Sequence, residues 1–246
     1  MTTATGIGMI GLGTVGSAVA RRLVGDWEML GHRAGSTPVL RRVAVADPTR
    51  RREVALPSVH LDGDAEALVD DAAVAVVVEV MGGVDRASGL MERALRAGKP
   101  VVTANKAALA EHGLELSRLA VACGVSLRYE AAVGAGLPVV ALLRDSLRGD
   151  RVTALEMIIN GTTNVILTAM QRNGMGFAEA LRDAQERGFA EADPSADVDG
   201  HDAAAKLVLL GRLAFDAPIT VADVARAGIR EVVADDVAAA VEIGPS

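Results

Sequence analysis

Five carboxylates and a lysine are gathered in one short stretch, Gly188 to Lys206: Glu191, Asp193, Asp197, Asp199 and Asp202, then Lys206. Gly188, Pro194 and Gly200 interrupt it, which predicts mostly irregular backbone. Asp202 and Lys206 stand an i,i+4 step apart where the run AAAKLVLLGRLAF takes up helical period. They should share one helical face, with Asp202 in the first turn. A carboxylate and an ammonium one turn apart, beneath a loop of further carboxylates, could bind a zwitterionic substrate or move a proton. The plainer alternative is a solvated loop followed by a surface ion pair.

A second chemical pattern opens the chain. Ile7 to Ile10 is a short apolar run, GLGTVG occupies 11–16, and Ser17 to Val24 has helical spacing. Between a strand and a helix, Gly11 permits a tight turn and Gly13 lets backbone approach a pyrophosphate. Gly16 allows close packing, and Thr14 and Val15 lie where the helix N-terminus meets the phosphates. A tight turn with no ligand is the alternative. The next strand, expected over Val39 to Ala46, ends at Asp47, an acid placed to accept from the ribose of NAD. Arg50, Arg51 and Arg52 follow at once and would suit the 2′-phosphate of NADP, so the residues leave both cofactors open. Gly25 to Pro38 reads as an inserted loop.

The elements that must position these groups come next. A buried strand is expected over Val74 to Val80, running into Gly82 and Gly83. A helix follows over Gly89 to Ala97, then the strand Val101 to Thr103, then Lys106 in a helix's first turn. Glycine turn, Gly82, Thr103 and Lys106 would all lie at the carboxyl edge of a sheet, where open α/β sheets bind ligands. A lysine in a first turn opposes the helix dipole, which argues for a functional reason. Val125 to Glu130 should be the last strand of this half. Alternation of strand and helix from Ile7 to Tyr129 predicts an α/β fold with a Rossmann-like, doubly wound parallel sheet.

In the second half, Ala131 to Pro138 is small and glycine-rich. It suits a turn whose carbonyls point inward, onto a monovalent cation beside Glu130 or simply between domains. Pro138 to Leu147 reads as an apolar helix, and Arg151 to Asn160 as a strand. Asn160 to Asn164 (NGTTN) reads as a polar helix start with Gly161 and Thr162 offering donors to a carboxylate, or with Thr162 or Thr163 capping. Phe177 to Arg187 and Asp235 to Val241 read as further helices. The division predicted is a dinucleotide-binding domain over 1–133 and an α+β substrate domain over 134–246.

Composition limits the partners. The chain has 246 residues, a net charge of -7 and only 2% aromatic residues, so its core must be aliphatic and a nucleic-acid surface is not expected. Cys123 is the single cysteine, and the histidines show no ligand spacing. The amino terminus lacks a basic leader and apolar runs are short, which predicts a cytoplasmic protein with no membrane segment.

In order, GLGTVG (11–16), VVVEVMGG (76–83), AGKPVVTANKAALA (97–110), YEAAVGAGLP (129–138), NGTTNVILTAM (160–170) and GFAEADPSADVDGHDAAAK (188–206) resemble homoserine dehydrogenase over nearly the whole chain. The resemblance implies reversible NAD- or NADP-dependent interconversion of L-aspartate 4-semialdehyde and L-homoserine. Lys206 resembles the family's catalytic lysine, and Asp202 and Glu191 its substrate-binding carboxylates. Lys106 resembles the lysine between nicotinamide and substrate. Glu130 with the carbonyls of Val133, Ala135 and Leu137 resembles the family's structural sodium site. A homodimer is likewise implied.

Three departures accompany it. Ala46 stands where the family commonly has arginine before the acid, Asp85 and Arg86 replace Glu-Pro, and Val165 replaces an aromatic. Family members continue beyond the position of Ser246. The second domain is therefore expected to be incomplete, with no regulatory amino-acid-binding domain. A shortened homologue that binds dinucleotide without turnover is the competing expectation.

Overall fold

The computed structural model describes residues 4–52, 54–56 and 58–243. Gly244 to Ser246, the last residues of the chain, lie outside the described residues. Two compact units divide between Asp145 and Ser146.

The first unit is built on six parallel strands in the order β3-β2-β1-β4-β5-β6. These are β1 (Ala4–Ile10), β2 (Thr37–Ala44), β3 (His60–Asp62), β4 (Val76–Glu79), β5 (Val101–Thr103) and β6 (Leu127–Arg128). Order reverses between β1 and β4, as a doubly wound sheet requires. The core is aliphatic, with Ile7, Met9, Leu40, Val43 and Val78 among its buried members. β1 is squeezed between neighbours: a Cβ on Gly6 would lie 1.8 Å from the Ala73 carbonyl oxygen. Helices α1 (Thr14–Gly25), α2 (Trp27–Ala34), α3 (Ala65–Asp70), α4 (Asp85–Arg96) and α5 (Lys106–Ala122) connect the strands. Helix α4 buries Ala87, Leu90, Met91, Ala94 and Leu95 on one face. On its exposed side, Arg93 forks onto Asp70.

Four expectations change here. The segment read as an inserted loop contains α2, closed by Gly35 in the left-handed conformation (φ 71°). Its apolar period is weak because only Gly31 of the helix is fully buried. Strand β2 stops at Ala44, so Asp47 sits in the loop beyond it. The last strand is only Leu127–Arg128, because the Glu130 carboxylate accepts from Val140 N (2.8 Å) and Ala141 N (2.8 Å) and turns the chain away. Glu130 instead opens a single helical turn, α6 (Glu130–Val133), which leads to α7 (Val139–Ala141) and a wide π-type turn over Leu142–Ser146.

The second unit contains α8 (Gly161–Asn173), α9 (Phe177–Glu186), α10 (Ser195–Val198), α11 (His201–Phe215) and α12 (Ala234–Ile243). Ile166, Ala169, Met170, Ala180, Ala184 and Val198 form its core, with Val237 packed against them. Arg151 to Asn160 is a correction: among the described residues no strand pairs with it. Its side chains alternate between half-buried and exposed, with Ile158 77% exposed. Alternation sets which face is apolar, but a strand also needs a neighbour to receive its backbone hydrogen bonds.

Candidate functional site

In the first unit the site lies at the carboxyl edge of β1, β2 and β4. Gly11 takes φ 101°, and its N–H donates to the Ala44 carbonyl at 2.8 Å. A Cβ there would fall 2.5 Å from the Val80 carbonyl oxygen, and one on Gly16 would fall 2.4 Å from that of Gly11. At Gly13 the space is open, with no atom within 4 Å of a Cβ. Gly13 also caps α1 without a side chain, so no capping oxygen competes for the first-turn N–H groups of Thr14, Val15 and Gly16. Such a turn accepts a phosphate.

The turn opens on a cavity of about 790 Å³ lined by Gly11, Gly13 and Thr14 on one side and Asp47 and Arg50 on the other. Among the described residues, Asp47 is the one carboxylate that lines it, together with Arg21, Arg50, Arg51, Arg52 and Arg86. Its Oδ1 accepts from Thr49 Oγ1 (2.6 Å) and Thr49 N (2.9 Å), and these bonds hold its carboxyl below the usual range. Arg52 donates to the carbonyls of Asp47 (2.7 Å) and Arg50 (2.8 Å), which fixes the loop and leaves Arg50 and Arg51 to line the cavity.

Gly82, Thr103 and Lys106 belong to the same sheet edge but do not line that cavity. Gly82 and Gly83 are consecutive left-handed residues (φ 79° and 77°) after β4. Thr103 is only 1% exposed, and its hydroxyl donates to Glu79 Oε2 at 2.6 Å. Lys106 is the first residue of α5, whose N-cap is Asn105.

The second unit assembles the acidic stretch around Asn160. Asn160 caps α8 by accepting from Thr163 N at 2.8 Å, so the cap is this asparagine and not Thr162 or Thr163. A threonine one or two positions inside the helix cannot serve the same N–H, and the Thr162 hydroxyl donates instead to the Phe189 carbonyl (2.9 Å). Both hydrogens of the Asn160 amide are used, one toward Asp197 Oδ1 (2.7 Å) and one toward Asp202 Oδ2 (2.9 Å). Lys206 Nζ lies 2.7 Å from Asp202 Oδ2 and donates to the Ile159 carbonyl at 3.1 Å.

Their side chains are 5% exposed for Asp202 and 17% for Lys206, so this is a largely buried pair. Helix α11 supplies both residues at the expected i,i+4 spacing. An ammonium has three donor hydrogens, and these two partners engage two directions. Gly161 and Glu191 are exposed beside the cluster's elements, at the start of α8 and in the loop after α9.

Asp197 is expected only as one of the loop's carboxylates and Asn160 only as the start of a polar turn, while Glu79 has no expected role. Two signals were present. An asparagine directly before Gly-Thr-Thr is a helix N-cap pattern, and Glu79 is a lone charge inside the apolar run VVVEV.

The loop between α9 and α11 is held by acid contacts at its surface. Asp199 accepts from Arg230 Nε (2.5 Å) and Nη2 (3.0 Å), and Asp193 accepts from Ser195 N (3.1 Å). The Arg230 guanidinium lowers the Asp199 carboxyl, and Ser195 lowers that of Asp193. A depressed carboxyl stabilises the fold above its unfolded value, and that contribution disappears as pH falls through the folded one. Amide protection of residues 195–200 should therefore persist down to about pH 4 and fall only below it. In Arg230→Gln the protection should be lower at neutral pH and should change less as pH falls below about 4, which hydrogen exchange followed against pH would show.

Among the described residues, no group of three or more His, Cys, Asp or Glu side chains is arranged to hold a metal. Around the glycine-rich turn, Ala135 adopts φ 51°, a left-handed conformation unusual for alanine, and Leu137 is exposed. No described helix is long and apolar enough to cross a membrane.

Two family models match. The one described as homoserine dehydrogenase, NAD binding domain, covers residues 11–130, and the one described as homoserine dehydrogenase covers 138–245. A homoserine dehydrogenase of Corynebacterium glutamicum is 45% identical over 242 residues, which are 98% of this chain and 54% of that protein. The crystal structure of a homoserine dehydrogenase from Thiobacillus denitrificans superposes with a TM-score of 0.92 at 38% identity, covering 99% of this chain and 56% of that one. A putative homoserine dehydrogenase from Archaeoglobus fulgidus gives a TM-score of 0.88 at 32% identity, with 98% and 77% covered. The chain spans about half the length of the curated relatives it matches.

Proposed function

The chain belongs to the homoserine dehydrogenase family, and from that premise we propose that it interconverts L-aspartate 4-semialdehyde and L-homoserine, as an oxidoreductase acting on a CH–OH group. The observation that carries the reading is the buried Asp202–Lys206 pair tied to Asn160. In the reducing direction an aldehyde gains two electrons and two hydrogens, one of them as a proton at its oxygen. The bound nicotinamide dinucleotide supplies the hydride in that direction and accepts it in the other.

Lys206 would sit at the C4 oxygen, stabilising negative charge there and giving or taking the proton. Asp202 is read as holding the Lys206 ammonium in one rotamer and lining the substrate pocket. Glu191 and the first-turn N–H groups of Gly161 and Thr162 are read as binding the amino-acid end of the substrate. Lys106 would act at the nicotinamide end of the first unit's sheet edge. The proposed division of labour is dinucleotide binding by residues 1–133 and substrate binding by 134–246.

The glycine turn fits a dinucleotide: Gly11, Gly13, Thr14, Val15 and Gly16 would hold the pyrophosphate, and Asp47 and Arg50 the adenosine ribose. Among the described residues five arginines line the cavity, and Asp47 is already bonded to Thr49, an arrangement that favours NADP over NAD. Replacing Arg50 and Arg51 together by alanine should weaken NADP by about tenfold or more while leaving NAD nearly unchanged, since one charge-assisted bond is worth roughly that factor. Titration calorimetry with each dinucleotide checks it.

The carbonyls of Val133, Ala135 and Leu137, with Glu130 beside them, would offer an all-oxygen donor set of the kind a hard cation such as sodium takes. Because the Glu130 oxygens already accept from Val140 N and Ala141 N, the carbonyls would carry most of that coordination. The family resemblance also supports a cytoplasmic homodimer.

The direct test is absorbance of reduced nicotinamide with L-homoserine and either NADP or NAD. Turnover faster with NADP supports the whole reading. Dinucleotide binding without turnover would instead favour a homologue that only binds.

A further inference from the structure

We propose that Glu79 is a positioning residue for the dinucleotide, acting through a closed ring of hydrogen bonds that joins the carboxyl ends of β4 and β5. The inference rests on the reading of the first unit as a dinucleotide-binding domain. Glu79 ends β4 and is 0% exposed. A carboxylate taken out of water is costly unless every oxygen is satisfied, so its presence in a strand of valines calls for a compensating use. Oε1 accepts from Met81 N at 2.9 Å, and Oε2 accepts from Thr103 Oγ1 at 2.6 Å. Thr103 Oγ1 in turn accepts from Asn105 N (2.9 Å), and Asn105 Nδ2 donates to the Gly83 carbonyl (2.7 Å). Asn105 Oδ1 meanwhile accepts from Ala108 N at 3.1 Å and so caps α5.

The ring fixes two things at once. One is the Met81–Gly83 turn, whose two left-handed glycines have no regular ladder or helix to hold them. The other is the first turn of α5, which begins with Lys106. The same turn touches the phosphate loop, since a Cβ on Gly11 would meet Met81 Cα at 2.8 Å as well as the Val80 carbonyl. In a doubly wound sheet the dinucleotide crosses the switch point between β1 and β4, with its adenosine on the β2 side. The ring therefore lies under the other, nicotinamide half. Glu79 touches neither half itself and acts through Met81, Thr103 and Asn105.

Binding by the full chain separates the possibilities. Calorimetry would compare NADPH with 2′,5′-ADP, which carries only the adenosine half, in wild type, Glu79→Ala, Thr103→Val and Glu79→Gln. Loss of ring bonds should weaken NADPH about tenfold in Glu79→Ala and Thr103→Val while 2′,5′-ADP stays within about twofold. Glu79→Gln can accept from Met81 N and donate to Thr103 Oγ1, so it should stay within about threefold of wild type. Thr103→Val keeps shape and volume, so it gives a reading even where Glu79→Ala does not fold. Equal weakening of both ligands would mark a purely structural role and overturn the proposal, as would unchanged NADPH binding. A Gln variant as weak as the alanine variant would overturn it too. A wild-type chain that binds neither ligand would remove the dinucleotide reading itself, and this proposal with it.

Discussion

Lys206→Ala is expected to lower kcat by about two to four orders of magnitude, the range for losing a positioned proton donor, with a much smaller change in KM for homoserine. In the proposed reaction the ammonium would act at the oxygen whose charge changes, so its contribution would be larger in the transition state than in the bound ground state. The same substitution has a second consequence. Asp202 is 5% exposed, and Lys206→Ala removes its ion-pair partner while the bond from Asn160 stays. Breaking a buried pair from one side costs about 3 kcal/mol or more. The thermal midpoint should therefore fall as well. Adding Asp202→Asn to Lys206→Ala removes the buried negative charge and should recover much of the midpoint but none of the rate. A double variant that regained activity, or a single variant with near-normal kcat, would take Lys206 out of the chemistry.

Asn160→Asp is the second large effect and is read in stability against pH. The substitution keeps Oδ1 as the acceptor for Thr163 N, so the α8 cap survives. It replaces an amide nitrogen by an oxygen at 2.7 Å from Asp197 and 2.9 Å from Asp202. Three carboxylates then meet one lysine. At neutral pH the cost should be about 3 kcal/mol, that of an uncompensated buried charge, unless one carboxyl keeps its proton. Like charges raise a carboxyl's folded-state pKa above the unfolded value. The folded state then binds more protons than the unfolded one, so stability falls as pH rises. The variant should accordingly be more stable at pH 5 than at pH 7. Asn160→Ala is the control: it loses the cap and both amide donors but adds no third carboxylate, so its slope should be much shallower. Parallel pH profiles for the two variants would show that Asp197, Asp202 and residue 160 are not electrostatically coupled.

These effects also separate what each level of description supplied. The parallel sheet was readable because short aliphatic runs such as Val76 to Glu79 alternate with helical periods, and because Gly11, Gly13 and Gly16 punctuate the first crossover. The Asp202–Lys206 pair was readable because an i,i+4 spacing is a local property of a helix. Helix α2 was missed since its apolar face is narrow. Arg151 to Asn160 was read as a strand since its alternation is genuine, although pairing depends on a neighbour that period alone cannot specify.

Long-range placement belonged to the tertiary structure. Asn160 and Asp202 are 42 residues apart in sequence, and Glu79 and Thr103 are 24 apart. Each pair meets only because elements distant in the chain pack side by side. Local spacing fixes which residues share a helical face or a strand end. Which buried carboxylate receives which donor is decided by packing, because a polar group removed from water must find its partner among whatever side chains and backbone the fold brings beside it.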